Sequence, residues 1–454
     1  MSQPQPDYAP DFAGADYYTD TSLVEDPHAY FRFLREQGPV TRLPHRNVVA
    51  ITGYDEAVQV MLDTEHFSSI NAVTGPVPGL PFEAHGDDIS DQLEAHRSKI
   101  AFADQVVTVD GQRHLDLRSV MATLFTPSRL KALEPSLAST ADALIDEFIK
   151  DGHVDLPKQY GCPYATLMIA DLLGIPPAGR KHFRDVIDNA VPAPVDPSGE
   201  MSFQDNPLVA IGKDIFKYIA KRRLLNKPII RPIARALGLT SKTTDMGTED
   251  ILTELALSKF PDGSTPSLTD LTGLGAFLFG AGQDTTNRLL ANAFRVLAED
   301  HALQSELRAD PSRIPDFIEE LLRFDGSVKS GGRMCKKTVT IGGVEIKAGT
   351  TLLLTHMGAN RDPRRFENPD KFDLNRKKAK EHLAFGRGAH TCIGSPLARS
   401  EVRVSIERLL ARLGNIRLSE AHHGPEGARH FDYENTYILR AMKELHLEFD
   451  AIPA

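Results

Sequence analysis

The chain has 454 residues, of which 25% are charged and three are cysteine, and its formal net charge at pH 7 is −10. This acidic balance argues against a nucleic-acid-binding protein, because such proteins present a basic surface. Three cysteines provide no disulfide framework, and the sequence contains no run of about 18 apolar residues that could span a membrane.

The N-terminal residues begin with a polar stretch that contains prolines at positions 4 and 6. This stretch has neither the basic region nor the apolar region of a secretory signal. We therefore expect a flexible tail over residues 1–25 and a single domain over residues 26–454. We also expect a cytoplasmic monomer without a membrane or nucleic-acid partner.

Most predicted elements are helices. Apolar spacing predicts them over residues 27–37, 54–63, 113–125, 128–151, 164–173, 179–190, 208–225, 249–259, 267–299 and 395–413. Alternating apolar and polar residues around turns predict β-hairpins at 39–51 and 339–354. The stretches 68–104 and 189–206 are predicted to be rich in loops. The fold class is therefore mainly α with small β-sheets (α+β).

The helix predicted from residue 113 carries His114 and Arg118 four residues apart. This spacing puts both basic side chains on one face of the helix. Such a face can compensate a buried carboxylate, which is costly when it is left unpaired. An ordinary pair of surface charges would show the same pattern.

The long apolar helix at 267–299 contains an unusual polar centre. Ser267 and Asp270 form a capping-box-like start, but Asp284, Thr285 and Thr286 interrupt the apolar run. Polar groups that break a local rule in this way are typical of functional sites. The alternative is a structural helix with a glycine kink and with threonines bonded to the preceding turn.

Two shorter features follow this helix. Glu320 and Arg323 are three residues apart on a predicted amphipathic helix, which places them on one face. By itself such a pair is usually a weak surface contact. Arg333 then follows at the beginning of a predicted strand.

Cys392 lies in a glycine-containing loop immediately before a predicted helix. The positive end of a helix dipole and its free amide groups stabilise a thiolate over a thiol. If this cysteine binds iron, its isolation favours haem, since iron-sulfur clusters and structural zinc need several ligands close together. The alternative is a buried, inert cysteine.

The segment 385–394 resembles the haem-ligand loop of the cytochrome P-450 family. The matching positions are Phe385, Gly386, Gly388, His390, Cys392 and Gly394. Residues 281–286 resemble the family's oxygen-binding helix motif, and Glu320 with Arg323 resembles its structural Glu-Arg motif. The resemblance extends from about residue 26 to about residue 450 and implies a triangular-prism haem-thiolate monooxygenase fold.

The resemblance also implies roles for individual residues. Cys392 would bind the iron of haem b, and the other cofactor contacts would come from His114, Arg118, Ala281, Arg333, Phe385, Gly386, His390 and Gly394. Asp284 and Thr285 would be catalytic through proton delivery to bound oxygen. Glu320 and Arg323 would be structural, with a further arginine chosen from Arg361, Arg364, Arg365 and Arg376.

The implied reaction is hydroxylation of a hydrophobic small molecule with O2, and a terpenoid or steroid-like substrate is favoured. Pocket candidates are Phe82, Ile100, Phe102, Val191, Val195, Leu278, Ala281, Val328, Tyr437 and Ile438, each of which could instead be ordinary core. No segment remains for a fused reductase, so electrons would come from an acidic ferredoxin and its NAD(P)H-dependent ferredoxin reductase. The ferredoxin would dock on a basic cluster made of Arg376, Lys377, Lys378, Lys380, Arg387, Arg399 and Arg403.

Three other functions remain open. A peroxide-driven haem peroxygenase would have no need of the Asp284 and Thr285 pair. A non-catalytic haem sensor or electron carrier would need neither that pair nor a large apolar pocket. A globular protein without cofactor would be colourless when pure.

Overall fold

The computed structural model describes residues 12–188, 207–237 and 251–452. The helices are α1 Pro27–Gln37, α2 Tyr54–Leu62, α3 Ser90–His96, α4 Gly111–Ala122, α5 Pro127–Phe148, α6 Cys162–Leu172, α7 Pro177–Asp188, α8 Pro207–Leu225, α9 Arg231–Ala236, α10 Ile251–Leu257, α11 Leu268–Glu299, α12 His301–Ala309, α13 Ile314–Asp325, α14 His356–Ala359, α15 Ser395–Arg412 and α16 Glu420–His423. Within these ranges, no helix is long and apolar enough to cross a membrane.

The strands are β1 Val40–Arg42, β2 Val48–Ile51, β3 Phe67–Ser68, β4 His153–Asp155, β5 Gly331–Cys335, β6 Val339–Ile341, β7 Val344–Ile346, β8 Thr351–Leu354, β9 Leu413–Leu418 and β10 His446–Ala451. They form a five-stranded sheet in the order β1-β2-β8-β5-β3, a three-stranded sheet β4-β10-β9 and the hairpin β6-β7. In the largest sheet β5 runs antiparallel to β8, with Arg333 opposite Leu352. This pairing fixes the position of Arg333.

Helix α11 runs through the centre of the helical part of the molecule. It begins with the predicted capping box, in which Ser267 accepts from the Asp270 amide and Asp270 accepts from the Ser267 amide, both at 3.0 Å. Its C-terminal half packs in one apolar core with α5, α6, α13 and α15. Its N-terminal half packs in a second core with α4, α8 and α10. The two cores hold the middle of α11 in place.

The mainly α architecture with small β-sheets is confirmed. The helices predicted at 27–37 and 267–299 and the hairpin at 39–51 match the structure closely. The loop-rich stretch 68–104, in contrast, contains the short helix α3. The other predicted loop, 189–206, lies outside the described residues, as do Val191 and Val195.

Residues 12–25 differ from the flexible tail that the sequence predicts. Tyr17 is buried, its ring lies 6.0 Å from that of Tyr30, and its hydroxyl donates to the Tyr437 carbonyl at 2.9 Å. Leu23 is also buried. Burial of these large side chains offsets the entropy lost on ordering the segment.

Candidate active site

The loop before α15 is folded so that Cys392 lies directly before the helix. The Cys392 amide donates to the Phe385 carbonyl at 2.9 Å, which closes the loop on itself. Gly386 and Gly388 have φ values of 65° and 72°, a region that glycine enters without steric cost. A Cβ at Gly388 would lie 2.8 Å from the Met61 carbonyl oxygen, so only glycine fits against α2 there.

The Cys392 side chain is exposed, although protein atoms surround the loop on several sides. Desolvation raises the pKa of the Cys392 thiol. The amides of Gly394 and Ser395 and the charge of Arg118 act in the opposite direction and favour the thiolate. A metal cation would supply the remaining stabilisation, because a coordinating cysteine is deprotonated.

Basic side chains from three elements converge beside this loop. His114 and Arg118 lie one turn apart on α4, as predicted from their spacing. The imidazole ring of His114 is buried and lies 4.0 Å from the ring of His390 in the cysteine loop. Arg118 donates to the Thr391 carbonyl, next to Cys392. Helix α4 is thereby attached to the loop.

Arg333 reaches the same cluster from β5. Burial lowers the pKa of the Arg333 guanidinium, and the Asp110 carboxylate partly offsets this effect. The pKa values of His114 and His390 are both lowered. Burial is the largest cause of each shift, and the charge of Arg333 adds to it. For His114 the pKa falls to about 4. The cluster therefore holds more positive charge than its one nearby carboxylate balances.

The cluster fits the two carboxylates of a haem. The Nε2 atom of His114 is buried and has no hydrogen-bond partner. His356 has the same feature at Nδ1, and it lies against β5, where a Cβ at Gly331 would be 3.1 Å from its Cε1. Buried polar atoms of this kind call for a partner. Carboxylates from a group bound through Cys392 would supply partners and neutralise the excess charge.

Two further residues at the site, Asp110 and His356, were not predicted from the sequence. Asp110 lies 3.5 Å from Nε2 of His390 and also accepts from the amide of Ser69 at 3.2 Å. Asp110 is the residue before α4, a position where aspartate commonly caps a helix. From the sequence alone it would be assigned as a cap, and its contact with His390 could not be predicted. No local pattern distinguishes His356, because tertiary packing alone brings it to Arg333.

The middle of α11 presents one face to a cavity. Ala281 is exposed although it lies inside a 32-residue helix, and it lines the cavity together with Phe277. Thr285 follows one turn later, and its hydroxyl donates to the Ala281 carbonyl at 2.7 Å. Gly282 has a different function, since a Cβ there would lie 2.7 Å from Ile169 of α6.

Asp284 lies beside the cavity face and is paired with Arg288 at 3.0 Å. Burial raises the pKa of the Asp284 carboxyl, whereas Arg288 lowers it. Arg288 also donates to Glu434 at 2.8 Å, so it is shared between two carboxylates. Because Arg288 is shared, its electrostatic attraction to Asp284 is weaker.

Glu401 connects α11 to α15 and was also missed. Its carboxyl accepts from the Thr286 hydroxyl at 2.8 Å, and burial raises its pKa to about 8. Glu401 lies nine residues after Cys392, or roughly 10 Å along α15 from its N-terminal end. The bond therefore keeps the polar centre of α11 close to the cysteine loop.

The cavity has a volume of about 870 Å³ and is lined by residues of the 97–106 segment, α4 and α11. Of the predicted pocket residues, Ile100, Phe102 and Ala281 line it. Phe82 lines a smaller cavity of about 280 Å³ and stacks on His96 at 4.6 Å. Leu278 is packed in the core between α11 and its neighbours.

Three further pocket candidates lie together elsewhere. Val328 forms a β-bridge with Leu439, and the Ile438 carbonyl accepts from the Lys329 amide at 2.7 Å. The ring of Tyr437 lies 5.1 Å from that of Tyr18. These contacts join the C-terminal segment to residues just before the strand that carries Arg333 and to the N-terminal segment.

Phe102 has an unusual backbone conformation, with φ of 61°. A bulky residue at positive φ is rare and costs free energy. The Thr108 hydroxyl donates to the Phe102 carbonyl at 2.5 Å and stabilises the turn. Strain of this kind is concentrated at ligand sites.

Glu320 and Arg323 form a buried cluster with a third member, Arg376. The Glu320 carboxylate lies 2.8 Å from Arg323 and 3.0 Å from Arg376, and the side chains of Glu320 and Arg323 are fully buried. Of the four arginines that sequence analysis left open, Arg376 is therefore the partner. Arg361 instead pairs with Asp370 at 3.1 Å.

Only part of the predicted basic cluster is free of intramolecular ion pairs among the described residues and could contact an acidic partner. Arg376 is paired with Glu320, and Arg399 and Arg403 are also engaged, with Glu319 and Glu134. The remaining lysines, Lys377, Lys378 and Lys380, are exposed. Arg387 donates to the Glu381 carbonyl at 3.0 Å.

The family model for Cytochrome P450 matches residues 213–415. The chain is 31% identical over 406 residues to the cytochrome P450 monooxygenase PikC of Streptomyces venezuelae, covering 87% of this chain and 86% of that protein.

Solved structures agree with this match. Mycobacterium marinum cytochrome P450 CYP150A6 in the substrate-free form has a TM-score of 0.87 at 43% identity and covers 98% of this chain and 100% of that one. CYP109E1 from Bacillus megaterium in complex with corticosterone has a TM-score of 0.72 at 25% identity and covers 94% and 98%.

Proposed function

This chain belongs to the cytochrome P450 family of oxygen-incorporating oxidoreductases, and we propose that it hydroxylates an apolar small molecule of steroid or terpenoid size. The observation that carries the proposal is the exposed Cys392 side chain at the N-terminus of α15, directly beside a basic cluster. A lone thiolate with carboxylate-binding groups next to it fits a haem.

The cofactor of this family is haem, and we propose haem b, held through Cys392. When bound, this group supplies the activation of O2 and the removal of hydrogen from carbon. His114, Arg118, Arg333 and His390 are proposed to bind its carboxylates. Asp110 holds His390 in place.

Protons are proposed to pass through Asp284 and Thr285. Because burial raises the pKa of Asp284, its carboxyl binds a proton more readily than an exposed aspartate does. Release from Arg288 would let the carboxyl turn toward the cavity. The Thr285 hydroxyl can likewise exchange its bond to the Ala281 carbonyl for a bond to a cavity ligand. Both side chains would then supply protons where bulk water is excluded.

The size of the cavity and the apolar residues in its wall support the proposed substrate class. A volume of about 870 Å³ suits a fused-ring molecule, and Ile100, Phe102 and Phe277 offer it aliphatic and aromatic contacts. The complex of the related CYP109E1 with corticosterone supports this choice of size and shape. Arg97 and Arg113 add polar contacts to the same wall.

Electrons are proposed to come from an acidic ferredoxin and its NAD(P)H-dependent reductase. The exposed lysines Lys377, Lys378 and Lys380 precede Cys392 by 12 to 15 residues. Leu62, which is 58% exposed, would lie 3.1 Å from a Cβ at Gly388. A basic surface with an apolar contact close to the cofactor loop suits a small acidic partner.

A ligand screen of the purified haem protein tests the substrate class. Steroids, terpenoids and fatty acids would be titrated while the change in the haem absorption spectrum on substrate binding is recorded. Phe102→Ala is expected to weaken binding of the best steroid or terpenoid by about tenfold, since a large apolar contact is lost.

Phe82→Ala is the matched control, because Phe82 lines the smaller cavity. It should leave the affinity unchanged. The proposed substrate class is rejected if no steroid or terpenoid shifts the spectrum, or if the two variants bind the ligand equally well.

A further inference from the structure

The three most exposed large apolar side chains of the described residues lie next to one another at α9. Ile229, Ile233 and Leu237 are 86%, 61% and 66% exposed. Ile233 and Leu237 are four residues apart, and the Leu237 amide donates to the Ile233 carbonyl at 3.0 Å, as in a helix. These two side chains therefore share one face, and Ile229 is exposed in the turn that leads into α9.

The same exposed surface continues along α8. Phe216 and Leu224 are 44% and 50% exposed. The opposite side of α8 carries Ile211, Ile215 and Ile219, all fully buried, and Ile215 packs so closely on α11 that a Cβ at Gly275 would be 2.8 Å away. Since the buried side already completes the core, the exposed apolar residues have no packing role within the described chain.

Positive charge surrounds these apolar residues. Residues 213–237 contain eight basic residues and one acidic residue, although the whole chain has a net charge of −10. Lys213, Lys217 and Lys221 are exposed and four residues apart along the outer face of α8, and Lys227 and Arg235 are exposed beside Ile229 and Ile233. The segment is a basic amphipathic surface within an acidic protein.

The combination identifies the chemistry of a partner. Nucleic acids offer negative charge, but their phosphates provide no apolar surface on which the exposed isoleucines could be buried. Anionic lipid bilayers offer an apolar phase directly beneath a layer of negative charge. Helices that lie in that interface carry lysine and arginine on the polar side and large apolar residues on the other.

We propose that residues 213–237 form a surface that binds anionic lipid membranes peripherally, with Ile229, Ile233 and Leu237 inserted between headgroups. Ala276, on the part of α11 that α8 covers, lines the 870 Å³ cavity. The membrane-facing surface and the cavity thus lie on opposite sides of one helix layer. Membrane binding itself requires no catalysis, so it stands apart from the proposed hydroxylation.

Sedimentation of the full-length haem protein with vesicles tests the proposal. One set of vesicles contains phosphatidylglycerol and phosphatidylcholine, and the other contains phosphatidylcholine alone. Binding should require the anionic lipid and weaken as salt increases. Combined Lys221→Glu and Lys227→Glu substitutions should weaken it at least about twentyfold, because each basic residue near an anionic surface contributes roughly fivefold.

Combined Ile229→Ser and Ile233→Ser substitutions should weaken binding about a hundredfold by removing inserted side chains. The matched apolar control is Leu115→Ser, which changes a 54% exposed leucine elsewhere, and the matched charge control is Lys443→Glu, at an exposed lysine. Both controls should bind as the unaltered protein does. Circular dichroism should show all variants folded.

The proposal is overturned if the protein ignores anionic vesicles, or if the Ile229 and Ile233 variant binds them normally. It is also overturned if that variant changes only the oligomeric state, since the surface would then contact a second copy of the chain. Because the readout is sedimentation, failure here leaves the substrate titrations as a separate test of the proposed hydroxylation.

Discussion

Glu320→Gln should destabilise the protein strongly. The Glu320 carboxylate accepts from two nitrogens of Arg323 at 2.8 Å, from Arg376 at 3.0 Å and from the Asp373 amide at 2.9 Å. Glutamine keeps the shape of the side chain but removes its charge. Two guanidinium groups then face a neutral amide inside the protein.

The expected loss in free energy of unfolding is about 3–5 kcal/mol, which is typical when one member of a buried ion pair is removed. Arg323 also donates to the carbonyls of Asn360, Pro369 and Lys371. The substitution should therefore loosen the segment that leads to the cysteine loop, and the variant should retain less haem after purification.

Urea unfolding of the haem protein, followed by circular dichroism, measures the effect. The matched control is Glu345→Gln, because Glu345 is 57% exposed and its bond to Lys347 at 3.0 Å lies in solvent. The control should unfold at the same urea concentration as the unaltered protein. If the two variants have equal midpoints, the buried cluster does not carry the stability assigned to it.

Three further outcomes are expected. Thr285→Ala should uncouple the enzyme, so that NAD(P)H is consumed but hydrogen peroxide replaces product; an unchanged ratio of product to NAD(P)H would assign Thr285 a structural role only. Combined Lys377→Glu and Lys380→Glu substitutions should lower turnover with an acidic ferredoxin at low salt while substrate affinity stays constant; equal turnover would remove the docking role. Glu401 has a folded pKa of about 8 against 4.5 unfolded, so its folded state binds the extra proton and stability should fall as pH rises from 4.5 to 8. At pH 7 the free energy of unfolding should be about 3 kcal/mol lower than below pH 4.5 because of this group. Glu401→Gln should remove this pH dependence of stability, and an unchanged profile would contradict the raised pKa.

Local sequence patterns were enough to predict the elements that position the site. The capping box at Ser267 and Asp270 fixed the start of α11, and the spacing of His114 and Arg118 placed both on one helical face. The loop around Cys392 could be predicted because its conformation depends on nearby glycines. In each case the decisive interactions are short in sequence.

Long-range contacts set the limit of prediction. The choice of Arg376 as the partner of Glu320 depends on a contact 56 residues away. The burial of Glu401 conflicts with the usual surface preference of glutamate. Arg399 and Arg403, expected on a docking surface, are paired with Glu319 and Glu134 from other helices. Pairs between residues that are far apart in the sequence leave no local pattern from which they could be predicted.

The packing of residues 12–25 has the same explanation. A short polar start and two prolines are compatible with a tail, but Tyr17 reaches the Tyr437 carbonyl across most of the chain length. Of the proposed membrane surface, residues 213–225 were predicted only as part of the helix at 208–225, and residues 226–237 were not predicted as any element. Their exposure becomes visible once the buried side of α8 is known.

The carbon monoxide spectrum of the reduced protein tests the proposal that the Cys392 thiolate would bind the haem iron. A thiolate donates electron density to the iron and produces a strongly red-shifted band. Cys392→Ala should abolish that band. Cys335→Ala and Cys162→Ala should retain it, because Cys335 is buried beside the Lys337 carbonyl and Cys162 accepts from Gln283. A red-shifted band that survives in Cys392→Ala would show that another residue binds the iron.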